Sequence, residues 1–271
     1  MSPTNPRDTA LITGASSGIG ATYADRLARH GHDLVLVARD KARLEALAER
    51  LAREYEVKVD VLPADLTSTQ DRARVEQRLR ADVSIGMLIN NAGMAGGGPL
   101  ATADADLLEQ MIQLNVVAPT RLTGAILPRL LARGHGSVIN IASVLALAPE
   151  MFGGSYSATK AYLLNYTLAL HKEASAQGVR VQAVLPGITR TEIWARSGGD
   201  INTLPAHMVM EVDEMVDAAM AGFLQGEVVT IPSLPDTADW DAYNAARLKL
   251  GPNLSRNRAA DRYKSDIAED A

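Results

Sequence analysis

The sequence predicts an α/β fold, a doubly wound, seven-stranded parallel sheet with helices on both faces. Three observations predict it. Short β-branched apolar runs alternate with longer amphipathic stretches over most of the chain, and such alternation implies parallel strands joined by helical crossovers. The short runs lack an in/out alternation of polarity, as strands covered on both faces do. No internal repeat or low-complexity linker interrupts the pattern, so 1–271 reads as a single domain with its core at about 9–231.

Each element follows in order. Thr9–Thr13 is the first strand and runs into a glycine-rich turn. Ile19–His30 is a helix closed by Gly31, and Asp33–Ala38 is a buried strand. Asp40–Tyr55 is a charged helix with Leu44, Leu47 and Leu51 on one stripe. Its Arg and Glu residues form a solvated face of i,i+4 pairs. Val57–Leu62 is a strand, Ser68–Arg80 a helix and Met87–Asn90 a strand. One long helix is expected over Asp104–Ala132. Ser137–Ile141, Val179–Val184 and Glu227–Ile231 are the remaining strands, with helices at Ser155–Gln177 and Val212–Leu224. Thr189–Met210, with Gly198, Gly199 and Pro205, breaks the alternation, as does a tail, 233–271, in which Asp236–Leu250 forms an amphipathic helix anchored by Trp240 and Tyr243.

Composition excludes several functions. Lys plus Arg total 27 against 32 Asp plus Glu, a formal charge of −5, which disfavours a basic nucleic-acid binder. Without cysteine there are no disulfides, thiolate nucleophiles or Cys-ligated metals. The five histidines, His30, His32, His135, His171 and His207, form no metal-binding motif, so no metal is expected. No stretch approaches the ~18 apolar residues of a membrane span. The N-terminus, Met1 to Asp8, is polar with two prolines and no apolar signal core, so a cytoplasmic protein with no membrane partner is expected.

The chemistry-bearing residues begin at Gly14-Ala15-Ser16-Ser17-Gly18-Ile19-Gly20, between the first strand and the first helix. Gly14 permits a tight turn, Gly18 lets a pyrophosphate approach the backbone, and Gly20 lets helix and strand pack closely. The helix N-terminus offers free N–H groups to phosphate. The second strand ends Val37-Ala38-Arg39-Asp40. An acid at its end would bind a ribose 2′-hydroxyl, but the position is Ala38, followed by Arg39, whose guanidinium suits a 2′-phosphate. NADP(H) is therefore favoured, with Ser16 as a further phosphate contact, and NAD(H) is the alternative. Two other readings stand: Asp40 turns in as the acid, or Arg39 is an ordinary exposed arginine.

Tyr156 and Lys160 are four residues apart on one helix face. A phenol is a poor proton exchanger at neutral pH, and a fixed ammonium nearby would lower its pKa and make it a general acid/base. Ser143 closes the fifth strand, Asn90-Asn91-Ala92-Gly93 follows the fourth, Asn115 lies within the long helix, and Pro186-Gly187 follows the sixth strand. Most of these positions are C-terminal strand ends, where open α/β sheets bind ligands.

Taken together, TGASSGIG, NNAG, Asn115, Ser143, YSATK and Pro186 to Thr191 resemble the compact, single-domain short-chain dehydrogenase/reductase family over roughly Thr9 to Ile231. The resemblance implies a Rossmann-like fold and a hydride transfer between nicotinamide and a ketone, an aldehyde or a secondary alcohol. It makes Tyr156 the general acid/base and Lys160 the residue that lowers its pKa and holds the nicotinamide ribose. It gives Ser143 the substrate oxygen and Asn115 a water relaying protons to Lys160. It assigns Asp65, beside Leu66, to the adenine, and Asn91, Ala92 and Gly93 to the central ribose region. Ser16, Ser17 and Ile19 line the phosphate turn with its glycines. Pro186, Gly187, Ile188 and Thr191 border the nicotinamide, and Thr189–Met210 forms a substrate lid. A homo-oligomer, dimer or tetramer, is usual in such proteins. The forty residues beyond Ile231 depart from the short pattern.

The pocket walls are expected in Val144–Gly154, Met94–Pro99 and the lid, including Leu145, Leu147, Met151, Phe152, Ile193, Trp194 and Leu204. They suit an apolar or mixed small-molecule substrate. Trp194 either stacks on substrate or fills the contact between lid and body. Met208, Met210, Met215 and Met220 read as packing, Asn140 and Asn165 as structural hydrogen-bonders, and His135 as a loop residue. Two competing functions are an NAD-dependent alcohol dehydrogenase and a catalytically silent dinucleotide-binding regulator. The intact Ser–Tyr–Lys set argues against the second. A nucleotide-sugar epimerase is disfavoured by the glycine spacing.

Overall fold

The computed structural model describes residues 8–96, 100–151, 154–197 and 199–264. The N-terminal residues 1–7, and the predicted pocket residues Pro99, Phe152 and Gly198, lie outside the described residues. The elements are β1 (Thr9–Thr13), α1 (Gly18–Arg29), β2 (Leu34–Ala38), α2 (Lys41–Tyr55), β3 (Val59–Pro63), α3 (Thr69–Ala81) and β4 (Ile85–Asn90). They continue with α4 (Ala105–Ile112), α5 (Ala118–Arg133), β5 (Gly136–Ile141), α6 (Gly154–Ala174), β6 (Val179–Val184), α7 (Ile193–Arg196), α8 (Val212–Gln225), β7 (Val229–Thr230) and α9 (Thr237–Lys249).

The seven strands form one sheet in the order β3-β2-β1-β4-β5-β6-β7, and every pairing is parallel. Parallel strands need helical crossovers, and these cover both faces. Successive residues of each strand enter opposite cores. Ile12, Leu36, Ile89, Ile139 and Val184 face one core with Leu44 and Leu51 of α2 and Met215 and Phe223 of α8. Leu11, Val35, Leu88, Val138 and Val181 face the other with Val75 of α3, Leu122 and Ile126 of α5, and Leu170 of α6. Each fully buried Leu or Ile contributes about 2 kcal/mol. The charged side of α2 carries the i,i+4 pairs Lys41–Glu45 at 3.4 Å and Arg50–Glu54 at 3.0 Å.

Four sequence expectations are corrected. The helix expected over Asp104–Ala132 is interrupted by a π-helical segment, Gln113–Val117, between α4 and α5. The cause is Pro119, which has no N–H to offer the carbonyl of Asn115 four residues earlier. The last strand is shorter than Glu227–Ile231. Glu227 is spent closing α8, its N–H donating to the Gly222 carbonyl at 3.0 Å, and Pro232 ends the ladder. Asn165 is exposed on α6 with no side-chain hydrogen bond among the described residues, and Met208 is exposed as well. Both are on helical turns that face away from the two cores.

The described residues divide into two compact units that part between Pro232 and Ser233. The second contains α9, capped by the Asp236 carboxylate, which accepts from the Ala238 N–H at 2.8 Å. Trp240 and Tyr243 pair with each other there, with ring centroids 5.6 Å apart.

A buried polar network ties the central strands to the helix carrying Tyr156. The Asn90 amide donates to Asn140 Oδ1 at 2.9 Å and to Thr123 Oγ1 at 3.1 Å. The Asn140 amide donates to Thr167 Oγ1 of α6 at 2.9 Å. Asn140→Ala leaves a buried N–H of Asn90 without its acceptor, so we expect a loss of about 2 kcal/mol in urea unfolding. A change below about 0.5 kcal/mol would show that the network adds no stability.

Candidate active site

The strand order reverses between β1 and β4, and the predicted site residues gather at the C-terminal edge around that point. Gly14 has φ +67° and Gly18 φ +51°, conformations that exclude most side chains. A Cβ on Gly14 would lie 2.8 Å from Asn91 Nδ2, and one on Gly20 would collide with the Gly14 carbonyl oxygen. The turn is braced from β4: the Asn91 side-chain amide donates to the carbonyls of Thr13, at 2.9 Å, and Gly14, at 3.2 Å. The Thr13 hydroxyl accepts from the N–H groups of Asn91 and Ala92, each at 3.0 Å. Asn91 therefore shapes the turn in addition to lining it. The first turn of α1 carries no acidic residue, so its positive end is left to an anion.

At the end of β2, Arg39 is exposed and pairs with no carboxylate among the described residues. Asp40 caps α2, its Oδ1 accepting from the Arg43 N–H at 3.0 Å. That oxygen is turned to its own helix. Asp65 Oδ1 accepts from the Thr67 N–H and hydroxyl at 2.9 and 2.7 Å, while Leu66 is buried in the core. These residues fit a phosphorylated dinucleotide: a cradle that a Cβ would fill, a helix N-terminus and an uncommitted guanidinium.

Ser143, Tyr156 and Lys160 meet beside this turn. Ser143, at the end of β5, is buried and hydrogen-bonded to Tyr156. Its Oγ accepts from the Leu145 N–H at 3.2 Å, and the Val144 N–H donates to the Pro186 carbonyl at 3.0 Å. Lys160 is buried, and its Nζ donates to the Ile141 carbonyl at 2.8 Å. The same Nζ lies 5.6 Å from the Tyr156 ring centroid and 3.6 Å from where a Gly93 Cβ would be. Asn115, in the π segment, accepts from the Met94 N–H at 2.9 Å and donates to the Met94 carbonyl at 2.9 Å and to Thr159 Oγ1 at 3.1 Å. Its side chain thus positions the 94 region and α6. Thr191 meets the turn, its methyl 3.2 Å from a Cβ built on Gly18. Ile188 accepts from the Met210 N–H at 2.9 Å. The Trp194 indole N–H donates to the Thr189 carbonyl at 3.1 Å, so this ring is tied within its own segment.

One expectation is reversed. The Tyr156 phenol is pushed up to about 12 by burial, with the Ser143 hydrogen bond pulling the other way. The Lys160 ammonium is pushed down to about 8 by burial. The amine lies over the ring and bonds to the Ile141 carbonyl instead of the phenol oxygen, and loss of water outweighs its attraction. Sequence reasoning also missed Thr13, Thr159 and the Ile141 carbonyl. Thr159 was within reach, inside the Tyr156–Lys160 run, whereas a backbone acceptor leaves no mark in a sequence.

The family model for short chain dehydrogenases matches residues 8–202, and the chain belongs to that family. Among curated relatives, the human very-long-chain 3-oxoacyl-CoA reductase is 32% identical over 188 residues, which cover 68% of this chain and 60% of that protein. The chain thus spans about 60% of the length of the reductases it matches. A short-chain dehydrogenase from Sphingobium yanoikuyae, solved in complex with NADPH, is 55% identical with a TM-score of 0.92, covering 94% of this chain and 100% of that one. The bulky-bulky ketone specific alcohol dehydrogenase from Comamonas testosteroni is 48% identical with a TM-score of 0.88, covering 96% of this chain and 99% of that one. No helix among the described residues is long and apolar enough to cross a membrane.

Lys160 makes a testable claim about stability. Its folded value, about 8, lies below its ordinary 10.5. Between those values the unfolded chain binds more protons, so stability rises as pH climbs through that window and the buried ammonium costs most below it. Lys160→Met is expected to stabilise the fold at pH ~7 by about 1–2 kcal/mol, allowing for the orphaned Ile141 carbonyl. The gain should shrink toward pH ~10. Urea unfolding at the two pH values checks this, and an equal gain at both would remove the amine as its source.

Proposed function

We propose that the protein is an NADP(H)-dependent oxidoreductase that interconverts a ketone or aldehyde and the corresponding alcohol, with Tyr156 as general acid/base. The observation that carries this reading is the convergence of Ser143, Tyr156 and buried Lys160 beside the glycine cradle. The nicotinamide, when bound, supplies or takes up the hydride. The chain's own residues handle the proton. Tyr156 stays protonated across the neutral range and gives its Oη proton to the carbonyl oxygen as that oxygen gains charge. Ser143 donates a hydrogen bond to the same oxygen. Lys160 holds positive charge close to the phenolate that is left. Asn115 anchors a proton relay through its main-chain carbonyl, since Pro119 withholds the usual helical partner and the side chain is engaged with Met94 and Thr159. Gly93, Ile188 and Thr191 complete the nicotinamide side.

Arg39 pairs with the 2′-phosphate in this reading. Its lack of a carboxylate partner among the described residues and the engagement of Asp40 in the α2 cap favour NADP(H) over NAD(H). The NADPH in the Sphingobium protein supports the same choice. The half-buried Leu145, Leu147 and Leu204 favour an apolar substrate, and the ketone specificity of the Comamonas enzyme supports one of some bulk. Exposed Leu107 and Ile112 on α4 support assembly into a homo-oligomer.

Tyr156→Phe is expected to lower carbonyl reduction by roughly 10²–10⁴-fold with little change in NADPH affinity. Turnover at the wild-type level would overturn the proton-donor role. Arg39→Ala is expected to raise the KM for NADPH by about 10-fold or more while leaving that for NADH nearly unchanged. Equal changes in both would remove Arg39 from 2′-phosphate recognition.

A further inference from the structure

On the face of the sheet that α1 and α8 cover, the two helices leave a cleft between them. Its volume is about 230 Å³, against roughly 150 Å³ for an engineered apolar cavity that admits benzene. Met87 and Ile89 of β4 and Ile139 of β5 form the floor, and Leu27, Met220 and Phe223 form the walls. Tyr23, Leu27 and His30 line it at helical spacing along α1 and its C-terminal cap, so the cleft runs about 10 Å along that helix. Its deep end is at Tyr23, which is 1% exposed. Its mouth is at His30 and Leu224, both exposed, where α1 and α8 end. Crossover helices run opposite to the strands they join, so this mouth lies at the N-terminal edge of the sheet, away from the glycine turn and Ser143.

Two buried hydroxyls have no hydrogen-bond partner among the described residues, those of Tyr23 and Ser137, and both belong to this face. Tyr23 lines the cleft. Ser137 pairs in register with Met87 of the floor and stands two residues before Ile139, on the same side of β5. Buried hydroxyls are nearly always satisfied. Each orphan costs stability as it stands, and a ligand hydroxyl would recover that cost. Near the mouth, His32 Nδ1 donates to the Asp8 carbonyl at 2.8 Å, which leaves Nε2 of the neutral ring as an acceptor. The walls favour an aromatic body. The Phe223 ring is fixed by the Arg180 guanidinium, 3.8 Å from its centroid. Met87 and Met220 add polarizable sulfurs, and thioethers and ring edges both attract an arene.

We propose that this cleft is a small-molecule site for a para-substituted phenol. The phenol hydroxyl bonds to Tyr23 at the deep end, the ring lies among Met87, Met220 and Phe223, and the substituent runs past Leu27 toward the mouth. None of these residues takes part in the proposed carbonyl reduction, so the inference stands apart from that reading.

The test uses 4-propylphenol, with propylbenzene as the same shape lacking the hydroxyl. Each is titrated into the full chain and followed by methionine-methyl NMR and calorimetry. The methyl resonances of Met87 and Met220 are expected to shift on saturation with 4-propylphenol, and that of Met111, buried on α4, to stay in place. The phenol should bind about 5-fold more tightly than propylbenzene, the worth of one hydrogen bond. Tyr23→Phe is expected to erase that preference while leaving the urea midpoint unchanged or higher, since it removes an unsatisfied buried hydroxyl. Met220→Trp fills the cleft and is expected to abolish binding of both probes. Equal affinity for the two probes in the wild type, a preference kept in Tyr23→Phe, shifts confined to other methionines, or wild-type affinity in Met220→Trp would each overturn the proposal.

Discussion

Removal of one ammonium from water is the costliest feature of the candidate site. Lys160 is buried on α6, and its hydrogen bond runs to a backbone carbonyl at the end of β5. Desolvation of this kind costs several kcal/mol unless a partner compensates, and the depressed amine shows that compensation is incomplete. The same exclusion of water raises the Tyr156 phenol. The two groups are thus held away from the acidities at which they would act in solution, in a place where charge interactions are strong. In the proposed mechanism, a donor that stays protonated and a cation that is not fully satisfied would suit an oxygen that becomes negative only during the reaction.

The sheet makes this arrangement possible. Where the strand order reverses at β1 and β4, the crossovers leave to opposite faces and open a crevice. The polar groups there are braced by one another. Thr13 and Asn91 bind the glycine turn to β4, and Asn90, Asn140 and Thr167 bind β4 and β5 to α6. Asn115 joins the π segment to α6 through Thr159. Most of these bonds are buried, so each missing partner would leave a costly unsatisfied group. That is a physical reason for Tyr156 and Ser143 to keep a fixed separation although they lie on different elements.

At the rim the balance differs. Arg39, Arg43, Asp40 and Glu192 are exposed, and their interactions are weak and exchangeable. Asp40 is held by local geometry, as a residue that caps its own helix. Arg43 is held by a residue 149 positions away in sequence. The interior of the site is therefore held by buried bonds, and its edge by exposed and weaker ones.

Much of this was legible in the residues. The strands reveal themselves as β-branched runs, because burial on both faces demands apolar side chains at every position. β1 and β6 were predicted over their observed bounds, and the caps Asp40 and Asp236 fell at the predicted helix starts. The glycine turn was legible because only glycine fits its backbone angles. The break at Asn115 was also written in the chain, as Pro119 four residues later, but helical periodicity continues across it and hides it. The sequence alone therefore determined the layered sheet, the glycine turn and which side chains stand at its strand ends, since these follow from periodicity, backbone freedom and strand boundaries. Only the tertiary structure decided the direction of the Tyr156 and Lys160 shifts, the commitment of Asp40 to its cap and the pairing of Arg43 with Glu192. Desolvation and long-range contact depend on what packs around a group, and neighbours in space are not neighbours in sequence.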